Sequence, residues 1–262
     1  MRLAIIPARG GSKRIPRKNI RDFAGRPMIG YAIVAASESG VFDRIVVSTD
    51  DDEIAAIAKE QGAEVPFMRP PELSNDIAGT VPVIQHAMNA LALVGPAAQQ
   101  VCCIYPGVPL LQASVLRDAL QLLEEGGCDF VFPVLEFPSP VQRALARDAE
   151  GRTRSMFPEH ANTRTQDLPP AYHDAGQFYW GTAEAWHSGR SPHLGARTVV
   201  LPSWAAVDID TPDDWARAEA LFRALNRHGS GPERLAEPRT APEPASIPSG
   251  DRRTRLSAEG QA

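Results

Sequence analysis

Cysteine is scarce in this chain. Its three cysteines, the adjacent Cys102 and Cys103 and the distant Cys128, cannot all pair with one another, which argues against a disulfide-stapled secreted fold and for core thiols in a reducing compartment. Positive charge is not in excess. Lys and Arg number 27 against 32 Asp and Glu, a formal net charge of -5, so the chain lacks the basic surface that nucleic acids and anionic membranes require. No long apolar run follows a basic flank at the N-terminus, because Arg9, Lys13, Arg14, Arg17 and Lys18 interrupt the first hydrophobic stretch; neither a signal peptide nor a transmembrane helix fits. The expectation is a cytoplasmic protein with no nucleic-acid or membrane partner, in which an anionic ligand must find a local basic pocket. Two common glycine motifs are also missing, the G-x-x-x-x-G-K-[ST] phosphate loop and the G-x-G-x-x-G dinucleotide turn.

Apolar sequence is sufficient for one sizeable core: 43% of 262 residues are hydrophobic, which suits one main domain. Arg2 to Ala8, Arg44 to Ser48, Val101 to Tyr105 and Phe130 to Leu135 are short apolar runs without polar alternation, the pattern of strands covered on both faces. Helical periodicity separates them at about Met28 to Glu38, Asp52 to Gln61, Val81 to Leu93 and Ser114 to Glu124. Strand alternating with helix predicts an α/β fold with a doubly wound, mostly parallel, Rossmann-like sheet, and the loops after Pro7, Ser48 and Tyr105 should share its ligand-binding rim. From Glu136 to Tyr172 the alternation gives way to Pro- and Arg-rich sequence, read as an inserted arm over residues 137–172. Strands are expected again at Gly176 to Trp180 and Arg197 to Leu201, and a last helix at Pro212 to Arg227. Residues 1–227 should form the domain, while 228–262, rich in Pro, Gly, Ser, Glu and Arg, should be disordered.

Two constellations carry chemistry. Pro7 to Asn19 follows the first strand and places five cations and two glycines in thirteen positions. Gly10 and Gly11 permit a backbone whose N–H groups converge on an anion, and Arg9, Lys13 and Lys18 supply full charges for a triphosphate; the plain alternative is a solvated basic turn. The second is Val207 to Trp215, where alternation in an extended segment puts Asp208 and Asp210 on one face. Two such carboxylates suit Mg²⁺, whose octahedron is completed by water and phosphate oxygens, although exposed strand-end acids would look the same. Thr211, Pro212 and Asp214 read as a helix start, which makes Asp213 and Asp214 structural.

With these residues in hand, the chain resembles the CMP-sialic acid synthetase family over roughly residues 1 to 225, and within it the branch that uses pseudaminic acid. The signature I-P-A-R-x-G-S-K-x-I-P-x-K-N is met from Ile6 to Asn19 at every specified position. Phe42 to Asp51 resembles the family's second-strand segment, Arg69 to Asp76 its nucleotide-facing loop, and Asp208 and Asp210 fall on its metal-binding pair. Glu64 to Pro70, Gly79 to Ile84, Gln166 to Leu168 and Tyr172 to Gly181 look like the pseudaminic branch. After the central strand the chain has Tyr105-Pro106-Gly107-Val108-Pro109-Leu110, in place of Gln-Pro-Thr-Ser-Pro-Leu in the sialic acid branch and Tyr-Ala-Thr-Ala-Pro in the pseudaminic one.

The resemblance implies that CTP lies along Ala8, Arg9, Gly10, Gly11, Ser12, Lys13 and Lys18, with Asn19, Arg69 and Ser74 or Asp76 near the nucleoside. An acidic nine-carbon sugar would attack the α-phosphorus, with Arg9, Lys13 and Mg²⁺ on Asp208 and Asp210 stabilising the departing pyrophosphate, and Asp210 is the candidate base. A pocket for a carboxylate and apolar substituents should join a cation to aromatic walls; Tyr105, Arg164, Gln166, Tyr172, Phe178 and Tyr179 fit, although strand aromatics such as Phe178 and Tyr179 also serve cores. The resemblance further implies a homodimer whose arm reaches over the partner's site, and a surface polysaccharide or glycosylated flagellin as the product's destination. N-acetylneuraminate, legionaminate or 3-deoxy-manno-octulosonate are alternative acceptors. A metal-dependent glycosyltransferase using Asp208-Ile209-Asp210, or a nucleotide-binding protein without turnover, are readings of another class; against the first, the pair comes after most of the sheet and the basic loop would have no role.

Overall fold

The computed structural model describes residues 1–92 and 98–227; the tail expected to be disordered, 228–262, and the expected helix end at Leu93 lie outside the described residues. In chain order the strands are β1 (Arg2–Pro7), β2 (Asp22–Phe23), β3 (Arg26–Pro27), β4 (Arg44–Ser48), β5 (Gln100–Ile104), β6 (Phe130–Glu136), β7 (Leu145–Arg147), β8 (Thr153–Ser155), β9 (Tyr172–Asp174), β10 (Phe178–Thr182) and β11 (Arg197–Leu201). The helices are α1 (Met28–Ser39), α2 (Asp52–Glu60), α3 (Thr80–Ala92), α4 (Ala113–Glu124), α5 (Ala183–His187) and α6 (Pro212–Arg227).

The unbroken apolar runs are explained by burial on both faces. Ala4 and Ile6 of β1 join a cluster with Ile29 and Ile33 of α1 and Leu116 and Leu120 of α4. Leu3 and Ile5 point the other way, into Ile84 and Met88 of α3 and Ala185 and Trp186 of α5. Each fully buried aliphatic side chain of this kind stabilises the fold by about 1.5–3 kcal/mol.

The main sheet runs β11-β6-β10-β5-β1-β4, with β9 paired to the outer end of β6. β1 is parallel to both β4 and β5, and β6 is parallel to β11. The chain therefore leaves β1 toward β4 and returns to the other side of β1 as β5, which opens a crevice at the carboxyl ends of β1 and β5, the place where doubly wound sheets bind ligands. β10 departs from the expected alternation, for it is inserted antiparallel between β5 and β6.

The arm leaves the sheet at Glu136 and returns at Tyr172, and these two residues are paired across β6 and β9. Inside it, β7 and β8 form a hairpin, and the Arg143 guanidinium donates to the carbonyls of Ala161 and Thr163. Phe137, Leu145, Met156 and Tyr172 present large apolar surfaces to solvent. Among the described residues, no helix is long and apolar enough to cross a membrane.

Candidate active site

The basic loop is built onto the sheet by backbone bonds and one tight approach. Ala8 N–H donates to Ser48 O at 2.9 Å, continuing the β1/β4 pairing past Pro7, and Gly10 N–H donates to Asp50 Oδ1 at 3.0 Å. A Cβ on Gly10 would lie 2.6 Å from Asp51 Oδ2 and 3.0 Å from Asp51 Cβ, so glycine is required by proximity. Gly11 has open space where a Cβ would point, Ser12 N–H closes a turn on Gly10 O, and Ala8 is wholly buried. Further on, Ile15 plugs into a core cluster with Phe23, Met28, Ile209 and Trp215, which ties the loop to the segment carrying Asp208 and Asp210. Asn19 is buried as a brace, its amide donating to Arg9 O at 3.0 Å.

Each cation of the loop has an acidic partner. Arg17, held at φ 55°, grips Asp51 through both nitrogens, at 2.5 and 3.1 Å, and also reaches Glu53. Asp51 is meanwhile the N-cap of α2, accepting from Ile54 N–H at 2.9 Å; the Arg17 hydrogen bond holds its carboxyl below the usual range, with further help from the Ile54 N–H. Arg9 and Lys13 converge on the two oxygens of Asp76, at 2.7 and 2.5 Å, and these bonds, that of Lys13 foremost, pull the Asp76 carboxyl down. Arg14 and Lys18 face Asp210 at 2.9 and 3.7 Å, and Lys18 Nζ also donates to Ile209 O at 2.6 Å. Exposed ion pairs of this kind are weak and screened by salt, so a polyanion can displace them.

Arg69 differs from these. Its backbone is pinned by N–H donation to Thr49 O at 2.7 Å and its side chain is 4% exposed, yet the Asp50 carboxylate oxygen is 3.7 Å away and, among the described residues, its Nε and Nη2 have no hydrogen-bond partner. Burial lowers its pKa, partly opposed by Asp50. Buried guanidinium donors without a matched acceptor are costly to keep. Ser74 is occupied locally, its hydroxyl donating to Pro70 O at 3.1 Å.

Asp208 and Asp210 lie in an extended segment outside the strands. Between them Ile209 is buried in the core, while Asp208 is exposed and Asp210 half-buried. Partial burial, and next the Asp210 charge, raise the Asp208 carboxyl above its usual value. Two carboxylates whose charges act on one another suit a divalent cation. Among the described residues no third His, Cys, Asp or Glu joins them, which leaves most positions of a Mg²⁺ octahedron to water and phosphate oxygens. Four residues beyond Asp210, Asp214 caps α6, accepting from Thr211 N–H at 3.0 Å, the structural role expected of it.

The residues expected at the acceptor separate into three groups. Tyr105, the first residue after β5, and Tyr179 meet edge to face at 5.8 Å. Phe178 is completely buried in the core on the α1 and α4 side; successive strand residues face opposite ways, and it has no surface to offer a sugar. Arg164, Gln166 and Tyr172 belong to the exposed arm, where Arg164 pairs with Asp167 at 2.8 Å, and nothing among the described residues brings them to the loop. Asp50, Asp51 and Arg17 are the supports that residue types alone did not reveal; Asp50 and Asp51 lay in the quoted second-strand segment, and their pairing to the loop was the missing piece.

A mostly parallel α/β sheet that sets a cation-lined loop against a carboxylate pair at its switch point defines a nucleotidyltransferase. A family profile described as Cytidylyltransferase matches residues 3–190. The pseudaminic acid cytidylyltransferase of Campylobacter jejuni is 42% identical over 224 residues, covering 84% of this chain and 96% of that protein. The CMP-N,N'-diacetyllegionaminic acid synthase of Legionella pneumophila is 32% identical over 228 residues, covering 84% and 95%. Among solved structures, a CMP:2-keto-3-deoxy-manno-octonic acid synthetase complexed with CTP superposes with a TM-score of 0.64 at 17% identity, over 85% of this chain and 98% of that one; at that identity the likeness shows the fold. The chain belongs to the cytidylyltransferase family.

Proposed function

We propose that the chain transfers CMP from CTP to pseudaminic acid and releases pyrophosphate. The observation that carries this reading is the pairing of the Arg14 and Lys18 cations with Asp210, which brings the phosphate loop and the carboxylate pair to one place. The choice of acceptor is supported by the 42% identity to the Campylobacter jejuni enzyme. The Legionella pneumophila relative makes legionaminate the second acceptor to consider.

In this reading Arg9 and Lys13 exchange Asp76 for the triphosphate, Gly10, Gly11 and Ser12 approach it with their backbone, and Arg69 gives its unmatched donors to the nucleotide. Asp208 and Asp210 would hold Mg²⁺, which supplies charge neutralisation for the phosphate oxygens. The acceptor's anomeric oxygen forms the new bond to the α-phosphorus while the bond from that phosphorus to the bridging oxygen breaks, and the electron pair leaves with pyrophosphate. Lys13 and Lys18 are placed to stabilise the charge that accumulates there. Asp210, which faces the Arg14 and Lys18 cations, is the candidate to take the anomeric hydroxyl's proton as that bond forms. The exposed apolar groups of the arm, Phe137, Leu145, Met156 and Tyr172, support a homodimer in which Arg164 and Gln166 complete the partner's acceptor pocket.

The test is pyrophosphate release by the purified chain supplied with CTP, Mg²⁺ and pseudaminic acid, compared with Asp208→Asn and Asp210→Asn. Release by the wild type and loss of at least about a hundredfold in both variants is expected; near wild-type rates at saturating Mg²⁺ in either would remove that aspartate from the machinery.

A further inference from the structure

We infer that Asp174 and His193 are positioning residues of the acceptor pocket, acting through Tyr179 and Tyr105; this rests on the reading that those tyrosines wall the pocket. The placement of Tyr105 comes first. It stands at the carboxyl end of β5, at the switch-point crevice, and its hydroxyl lies 2.9 Å from Thr80 Oγ1, where the loop bearing Asp76 enters α3. Two residues further, an added Cβ on Gly107 would lie 3.9 Å from Lys18 Nζ. Tyr105 is therefore fastened at the end of the nucleotide loop, and the segment that follows it passes close to Lys18 of the phosphate loop.

From its ring a chain of contacts runs inward and out again. Tyr179, 5% exposed, packs against Tyr105 and donates its hydroxyl to Asp174 Oδ2. The other oxygen of Asp174 accepts Gly176 N–H at 2.7 Å, and His193 Nε2 approaches Oδ2 at 2.8 Å. The His193 ring packs edge-on to Phe132 at 5.2 Å and to Tyr179 at 5.6 Å. A phenol among apolar rings needs a fixed acceptor, and an acceptor held from three directions fixes the phenol. His193 comes from the connection between α5 and β11, and half its side chain is open, so the contacts reach solvent at the root of the arm. A purely internal brace needs no such open end. The geometry fits a wall whose hydroxyls are set in advance for the polar substituents of a sugar ring.

Asp174→Asn, Thr80→Val, His193→Ala and His193→Gln test this in the full-length protein, using whichever of pseudaminic acid, N-acetylneuraminate and legionaminate the wild type turns over. The half-saturating acceptor concentration should rise about tenfold or more in the first three while that for CTP stays within about twofold. His193→Gln, whose amide can donate to Asp174, should recover part of the loss. Thermal unfolding is followed alongside, and because His193 is surface-accessible its variants report even if Asp174→Asn does not fold. An equal rise for both substrates, or no rise, overturns the inference. Turnover of a different acid with the split intact defeats only the acceptor assignment, and silence with all three acids defeats both.

Discussion

Arg9 Nη1 and Asp76 Oδ1 lie 2.7 Å apart, and the second oxygen of the same carboxylate takes Lys13 at 2.5 Å. One exposed acid thus occupies two cations of the phosphate loop, which a triphosphate must reclaim. Asp76→Asn should therefore tighten CTP binding, lowering its dissociation constant about two- to fivefold at low salt, and the gain should shrink as ionic strength screens the pair. Titration calorimetry at two salt concentrations reads both effects. Weaker binding would mean that Asp76 contacts the nucleotide itself.

Gly10 is held against Asp51, whose carboxylate is fixed by Arg17 and by its capping bond to Ile54. A methyl group there has no room, and the neighbour cannot swing away without losing both partners. Gly10→Ala should lower stability by about 1–3 kcal/mol and weaken CTP binding, whereas Gly11→Ala, with open space around it, should be better tolerated. Denaturant melts of the two variants give the comparison.

For Arg69 the effects on stability and on binding should have opposite signs. Its buried, unpartnered nitrogens destabilise the chain without ligand, so Arg69→Met should leave the melting temperature unchanged or raise it. The same substitution should weaken CTP binding by about 10- to 100-fold, the loss of a charge-assisted bond in a dry site. Parallel thermal melts and CTP titrations would expose a merely structural arginine, since both would then fall.

Acid unfolding reports the Arg17 clamp. The Asp51 carboxyl is held below its ordinary value, first by Arg17. A group depressed in the folded state stabilises fully above its unfolded pKa, about 3.9, and loses that contribution as pH falls through the folded value. Arg17→Met removes the main cause, so its acid-unfolding midpoint should lie at higher pH than that of the wild type, with the two stability curves separated above pH 4 and converging below it. Unfolding monitored by circular dichroism from pH 6 to pH 2 measures this.

Much of the sheet was legible because burial on both faces leaves a plain mark. Arg44–Ser48, Arg197–Leu201 and Pro212–Arg227 have the expected bounds, and the other elements that were expected differ by a residue or two at their ends. The antiparallel insertion of β10 was not legible, since an apolar run carries no sign of which neighbour it pairs with or in which direction. The same limit applies to Phe178 and Tyr179, adjacent aromatics buried on opposite sides of the sheet, Phe178 toward α1 and α4 and Tyr179 toward α3 and α5. The phosphate loop could be read from charge and glycine, but its Asp50, Asp51 and Asp76 partners come from 34 to 67 residues away in sequence, and no local pattern announces such pairings. His193, from a connection with no motif, is the extreme case.

The acceptor profile of the purified chain is the decisive measurement: kcat/KM from pyrophosphate release with CTP and Mg²⁺, for pseudaminic acid, N-acetylneuraminate and legionaminate measured side by side. Pseudaminic acid should exceed the other two by at least about tenfold. Preference for either of the others would contradict the assigned acceptor, and CTP binding without pyrophosphate from any of the three would contradict CMP transfer to these sugars.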